Sequence, residues 1–239
     1  MTLPLTEELI EKAESFPDIQ AGIARLADVL QAPSYGVSST KDTAAAPPES
    51  DTAVQRPPWA VSVLVLGLSH PPERPELDWW EAGNTAGNRR LKEISEELTR
   101  WMKSRFASRA LPLPYHVERG GVFLKDAAVI SGLGVIGENN LLVNPVWGPR
   151  IRLRAVLVEG DLEPTGPLNG FSPCASCEKP CHGACPRIAF GEGVYARKRC
   201  GVQMNADVKA ARQNIESGRS SDVPISYCRE CELACPVGL

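Results

Sequence analysis

The chain has 239 residues and a mass of 25.8 kDa, with 26 basic against 29 acidic residues, a formal charge of -3 and an isoelectric point near 5.7. That length supports one full-sized domain plus a small satellite, and the acidic balance offers no footprint for a polyanion, so nucleic acid is not an expected partner. No apolar run approaches the ~18 residues of a membrane span, and no signal peptide or twin-arginine motif opens the chain, so no membrane association is expected and the cytoplasm is the expected compartment.

In chain order, residues 5–16 (LTEELIEKAESF) and 18–31 (DIQAGIARLADVLQ) space their apolar residues at three and four, which predicts two amphipathic helices. Residues 33–58, rich in Ala, Pro, Ser and Thr and poor in large apolar side chains, read as a flexible insertion. The run 59–68 (WAVSVLVLGL) predicts a buried strand. A proline-rich loop with Trp79 and Trp80 follows, and residues 84–91 lead into a long helix ending near Phe106. Leu91, Ile94, Leu98, Trp101, Met102 and Phe106 share one face of it. Residues 121–124 suggest a short strand, 125–130 a helix and 152–159 (RLRAVLVE) a strand. Strands and helices thus alternate in an expected α/β domain over residues 1–165, with residues 166–239 as the satellite.

All eight cysteines fall in that satellite, between Cys174 and Cys235. In a reducing compartment such crowding argues for metal rather than disulfides. The first block, Cys174-Ala-Ser-Cys177-Glu-Lys-Pro-Cys181-His-Gly-Ala-Cys185-Pro186, is one residue longer than the bacterial ferredoxin run. The second is Cys228-Arg-Glu-Cys231-Glu-Leu-Ala-Cys235-Pro236, and Cys200 supplies its remaining ligand from a distance. In two-cluster ferredoxins the cysteine before proline crosses to the other cluster. Applied here, Cys174, Cys177, Cys181 and Cys235 hold one 4Fe-4S cluster, and Cys185, Cys200, Cys228 and Cys231 hold the other. Metal binding would then contribute much of the satellite's folding free energy. Two zinc sites or a disulfide framework are the alternatives, though neither calls for a repeated Cys-Pro. His182, inside the first block, reads as a loop residue.

Gly132-Leu-Gly134-Val-Ile-Gly137 satisfies G-x-G-x-x-G, with Glu159 and Asp161 as downstream acids, so a nicotinamide or flavin turn has to be weighed. Its context is poor, because residues 124–130 read as a helix where that motif wants a strand. The competing reading is a turn that lets chain segments cross closely.

Taken together, Arg56-Pro-Pro-Trp-Ala60, the segment 132–144 (GLGVIGENNLLVN), both cysteine blocks and Tyr195-Ala-Arg-Lys-Arg-Cys200 resemble epoxyqueuosine reductase and, more distantly, the corrinoid-dependent reductive dehalogenases. The resemblance runs with gaps from about residue 56 to the last residue. It implies a nitroreductase-like cobalamin-binding α/β domain followed by a ferredoxin-like module with two 4Fe-4S clusters. It also implies corrin contacts at Gly132, Gly134, Gly137, Asn139 and Asn140. Glu118 stands where that family has a catalytic aspartate, and Tyr115, His116 and Glu118 become candidate proton donors; otherwise Glu118 is a solvated or Arg119-paired loop carboxylate. The sequence stops three residues after its last Cys-Pro, so the helical repeats of tRNA-acting relatives are not expected.

The function implied is a cytoplasmic oxidoreductase that passes electrons from a ferredoxin, flavodoxin or reductase through two clusters to a bound cobalamin. The reductive step would fall on a small molecule or on a corrinoid protein. The competing functions are an electron-transfer module that serves a partner enzyme without corrinoid, a flavin enzyme of nitroreductase type, and an epoxyqueuosine reductase acting on tRNA.

Overall fold

The β-branched run near residue 60 becomes the spine of a sheet in the computed structural model, which describes residues 5–37, 53–191, 194–216 and 224–239. Ahead of it, α1 (Leu5–Glu14) buries Leu9 and Ala13 as its apolar spacing predicts. The second expected helix is mostly absent. Residues Ile19–Arg25 form β1 and only Leu26–Leu30 is helical, as α2. Ile19, Ala21 and Ile23 also repeat at intervals of two, and pairing along β2 from Ile19–Leu68 to Arg25–Ser62 decides between the two periods. The helical alternative would carry Gly22 in its interior. In the strand, Gly22 lies against the Ser131 carbonyl, where a Cβ would collide.

A short α3 (Pro33–Val37) opens the segment expected to be a flexible insertion. At its far end Val54 N donates to the Arg119 carbonyl at 2.8 Å and Arg56 Nη2 to the Gly121 carbonyl at 2.9 Å. Both ends are therefore ordered, and the rest of that expectation falls on residues 38–52, outside the described residues. The chain continues as β2 (Ala60–Ser69), a small hairpin of β3 (Trp80–Glu81) and β4 (Asn84–Thr85), and the long α4 (Ala86–Phe106). The Thr85 hydroxyl caps α4 by accepting from Asn88 N at 3.1 Å.

Next come β5 (Ala110–Pro112), α5 (Leu124–Ile130), a second hairpin of β6 (Val135–Ile136) and β7 (Leu142–Val143), and β8 (Ile151–Glu159). The strand expected at 121–124 does not form. Gly121 N instead turns back to the His116 carbonyl at 3.0 Å, Val122 enters the core and α5 starts at Leu124. The unforeseen β5 ends in proline, which it tolerates because it is an edge strand paired only with β8. The cysteine-bearing region adds α6 (Pro180–Ala184), α7 (Arg197–Glu216) and α8 (Glu230–Leu233).

The four-stranded sheet has the order β1-β2-β8-β5 with every pair antiparallel. The fold is thus mixed α and β, without the parallel sheet that alternating elements usually signal. Val63, Val65, Ala155 and Leu157 pack one face against Val29 of α2 and Ala127 and Ala128 of α5. Leu64, Leu66, Val156 and Val158 pack the other against Leu9 of α1 and Leu91, Leu98 and Met102 of α4. Burial on both faces is why β2 and β8 read as unbroken apolar runs.

Thr165 closes the sheet region: its hydroxyl accepts from Ile23 N at 2.8 Å and donates to the Ser131 carbonyl at 2.7 Å. At the other end of β8, Gly148 adopts φ +60 and lies against the Val237 carbonyl, so the last residues of the chain run directly over this turn. A Cβ there meets both a left-handed backbone and a carbonyl oxygen. Gly148→Ala is expected to lower stability by at least about 1 kcal/mol in a urea titration; an unchanged midpoint would show that the crossing tolerates a side chain.

Candidate metal centre

The first cysteine block is built around a left-handed Lys179 (φ 56), which absorbs the one residue by which it exceeds the ferredoxin run. Pro180 then starts α6, and Lys179 N points at Cys177 Sγ at 3.4 Å. A peptide N–H aimed at sulfur is the contact that favours a thiolate. Cys174, Cys177 and Cys181 share a cavity with Cys235 from the second block, closed by Val143, Pro173 and Val237. Burial pushes the Cys181 thiol up, and the neighbouring Cys235, Cys174 and Cys177 add to the rise.

Cys185, Cys200, Cys228 and Cys231 form a second group. Burial, then Cys200, Cys228, Cys185 and Glu232, push the Cys231 thiol up to about 12. Ala189 N points at Cys185 Sγ at 3.3 Å, and the Tyr195 hydroxyl is hydrogen-bonded with Cys200. Cys228 N donates to Asp207 Oδ2 at 2.9 Å, and the Cys228 side chain is exposed beside an open cleft with Tyr227 and Leu233. The structure therefore brings the eight thiols together as two quartets, each drawing on both blocks.

None of the eight is in a disulfide. Among the described residues, no three His, Cys, Asp or Glu side chains converge tightly enough for a single ion. A zinc ion would need thiolates about 2.3 Å from its centre. A cubane, with its irons at separate corners, takes thiolates that are further apart, which suits sulfurs that sense one another's charge without crowding one point. Backbone donors on sulfur and mutually raised thiols fit such a group. His182, read from the sequence as a loop residue, instead lies within α6, where it stacks on Phe190 with ring centroids 4.9 Å apart.

A buried charge network seats this region on the sheet. His70 Nδ1 lies 2.9 Å from Asp78 Oδ2 and 3.0 Å from Arg229 Nη2. Arg152 Nε donates to Asp78 Oδ1 at 2.8 Å, Arg229 also pairs with Asp78, and Arg229 Nε donates to Glu232 Oε1 at 3.0 Å. Burial alone would raise the Asp78 carboxyl, but the His70 hydrogen bond and the charges of Arg152, His70 and Arg229 outweigh it and hold the pKa below its ordinary value. Arg150 reaches across as well, to carbonyls of the second block. Nothing local in the sequence announces these partners.

The glycine motif falls against the same region. Helix α5 precedes it and the β6–β7 hairpin follows, so the strand-turn-helix of a dinucleotide site is absent. A Cβ on Gly132 would face Gly166 at 3.0 Å, one on Gly134 the Val143 carbonyl, and one on Gly137 the Val143 side chain at 2.6 Å and Cys174 Sγ at 3.6 Å. Asn139 Nδ2 donates to the Cys231 carbonyl at 3.3 Å, while the Asn140 carbonyl accepts from Lys125 Nζ at 2.6 Å. This loop is thus a strut between the sheet region and both quartets.

Tyr115, His116 and Glu118 lie on a separate loop before α5. Tyr115 and Glu118 are exposed, and His116 Nδ1 stands 3.5 Å from Glu118 Oε1. Sequence reasoning missed a polar group at the start of α5, where the Asp126 charge acts on both Tyr35 and Lys125. The Tyr35 hydroxyl and Asp126 Oδ2 are buried with no hydrogen-bond partner among the described residues, and burial lowers the Lys125 pKa.

The chain can now be set beside known proteins by family model, by sequence and by fold. No family model matches the chain. It is 25% identical over 193 residues to an epoxyqueuosine reductase of Lactococcus garvieae (strain Lg2), an alignment that takes in 74% of this chain and 52% of the relative. A crystal structure of epoxyqueuosine reductase with an epoxyqueuosine-modified tRNA-Tyr stem loop superposes with a TM-score of 0.67 at 21% identity, covering 98% of this chain and 65% of that one. A catabolic reductive dehalogenase in complex with 3-bromo-4-hydroxybenzoic acid superposes at 0.54 with 18% identity, over 92% of this chain and 30% of the other.

The chain is therefore epoxyqueuosine reductase-like in sequence and shares its fold with epoxyqueuosine reductases and a reductive dehalogenase. It spans about half the length of the curated relative it matches. The tRNA-bound structure is at odds with the expectation of no nucleic-acid partner. Among the described residues no helix is long and apolar enough to cross a membrane.

Asp78→Asn leaves Arg152 and Arg229 short of a buried counter-charge and is expected to cost about 3 to 5 kcal/mol at neutral pH. Because the Asp78 pKa is depressed on folding, its contribution is present above the unfolded carboxylate value of about 3.9 and is lost as pH falls through the folded one. Acid titration of stability should therefore be shallower in the variant; parallel curves would contradict this account.

Proposed function

We propose that this chain is an iron-sulfur reductase whose eight cysteines hold two 4Fe-4S clusters in the crossed arrangement and deliver electrons to an acceptor. The observation that carries the reading is the grouping of the thiols into Cys174, Cys177, Cys181, Cys235 and Cys185, Cys200, Cys228, Cys231. The clusters would supply one-electron storage and transfer. The protein's own groups divide the remaining work. Cys228 and the open cleft beside it give an electron donor access to the outer quartet, while the inner quartet, with Cys181 and Cys235 buried, is the more enclosed of the two. The division into a unit of residues 1–165 and a cysteine unit of 166–239 follows this allocation.

The resemblance points to cobalamin as the acceptor. The five residues it would lay against a corrin do not fit that task as they stand, because the glycines lie against other segments of the chain, both ends of the Asn139 amide are bonded internally and the Asn140 carbonyl accepts from Lys125. The reading that the geometry supports best therefore ends at electron delivery. The 115–118 loop, where His116 and Glu118 adjoin, is the proposed source of protons for the acceptor. A second reading, action on tRNA, is favoured by the relative solved with a tRNA stem loop, a fold that covers nearly all of this chain.

Anaerobic purification and reconstitution test the proposal. About eight iron atoms per chain are expected, with negligible zinc. Cys235→Ser should remove the same cluster as Cys174→Ser, leaving about four irons in each variant; stoichiometric zinc, or loss of different clusters from the two, would sink the crossed assignment. Cobalamin addition to the loaded protein decides the acceptor: a perturbed corrin spectrum would reinstate a corrinoid, and an unperturbed one leaves electron delivery to another group. Binding of a tRNA stem loop, measured by gel shift, decides the second reading.

A further inference from the structure

Arg150 stands one residue before β8 and is 2% exposed. Its Nη1 donates to the carbonyls of Glu232 at 3.2 Å and Cys235 at 3.3 Å, and its Nη2 donates to that of Val237. Two residues along, Arg152 has the Asp78 carboxylate, and Arg229 has both Asp78 and Glu232. Among the described residues no carboxylate lies within ion-pair distance of Arg150. The three carbonyls accept from three of its five N–H donors but bring no net charge. A guanidinium does not shed its proton in a protein, and a buried cation without a counter-charge carries a heavy desolvation cost. Hydrogen bonding to three carbonyls does not in itself require a charge.

Negative charge becomes available here if the inner quartet is metallated. Arg150 binds the backbone of one of its four cysteines, which places its fixed positive charge beside the inner quartet. Four thiolates outweigh the charge of an iron-sulfide core, so the whole group is anionic, and reduction makes it more so. A fixed cation in a low-dielectric setting stabilises the reduced form more than the oxidised one.

We propose that Arg150 is the buried counter-charge of the cluster held by Cys174, Cys177, Cys181 and Cys235, a positioning residue that raises the reduction potential of that cluster and not of the other. The inference rests on the two-cluster reading. The outer quartet has a different setting: Cys228 is exposed and its amide bonds the Asp207 carboxylate.

The test is an EPR-monitored redox titration of the full chain, anaerobically reconstituted, as wild type, Arg150→Met and Arg150→Lys. In Arg150→Met one midpoint should move to a more negative potential while the other stays, and Arg150→Lys should keep both near wild type. In a Cys177→Ser background, which lacks the inner cluster, Arg150→Met should leave the remaining midpoint unmoved. Two unchanged midpoints in fully loaded Arg150→Met would overturn the proposal. If Arg150→Met cannot hold the inner cluster, the lysine variant decides. Full loading at the wild-type potential supports the role of charge, whereas loss in that variant too would reduce Arg150 to a partner of carbonyls and overturn the proposal. A wild-type chain that takes up no iron would instead bring down the reading of the quartets themselves.

Discussion

One carboxylate, Asp78, collects His70, Arg152 and Arg229 in a place from which water is largely excluded, and through Arg229 it reaches the middle of the second cysteine block. The region after residue 165 has few large apolar side chains, so burial alone holds it weakly to the sheet. Charged groups fixed by β2 and β8 seat it instead. Such a junction adds little net stability compared with apolar packing, yet breaking one partner leaves an uncompensated buried charge. It therefore acts as a register: Cys228, Cys231 and Cys235 stand where they do because Arg229, Glu232 and the carbonyls that Arg150 binds are already placed.

Once registered, the second block completes what the first begins. Cys181 and Cys185 are four residues apart in one block but turn to different quartets, because α6 ends between them and Cys185 is already in extended backbone. Gly137 and Asn139, one against Cys174 and the other bonded to the Cys231 backbone, hold the spacing of both quartets from the sheet side. At about one-fifth identity the solved epoxyqueuosine reductases retain this fold.

What was legible in the sequence was local. The cysteine spacings, the β-branched run of β2 and the apolar face of α4 each impose their structure within a few residues. β1 was misread because Ile19, Ala21 and Ile23 suit two periods, and only a partner strand more than 40 positions away chooses between them. β5 was hidden by its terminal Pro112, which an edge tolerates. The network of His70, Asp78, Arg152 and Arg229 joins residues 8 to 159 positions apart, so no local pattern announces it. The glycine motif was legible as a close crossing; that it crosses next to a thiol was not.

The unequal enclosure of the two quartets has a chemical consequence of its own. Iron-sulfur groups corrode from the side that dioxygen can reach, and here that side is the rim at Cys228. Under the cluster reading, air would strip the outer group first while Val143, Pro173 and Val237 still shelter the inner one. The module would then fail as a conduit before it failed as a scaffold.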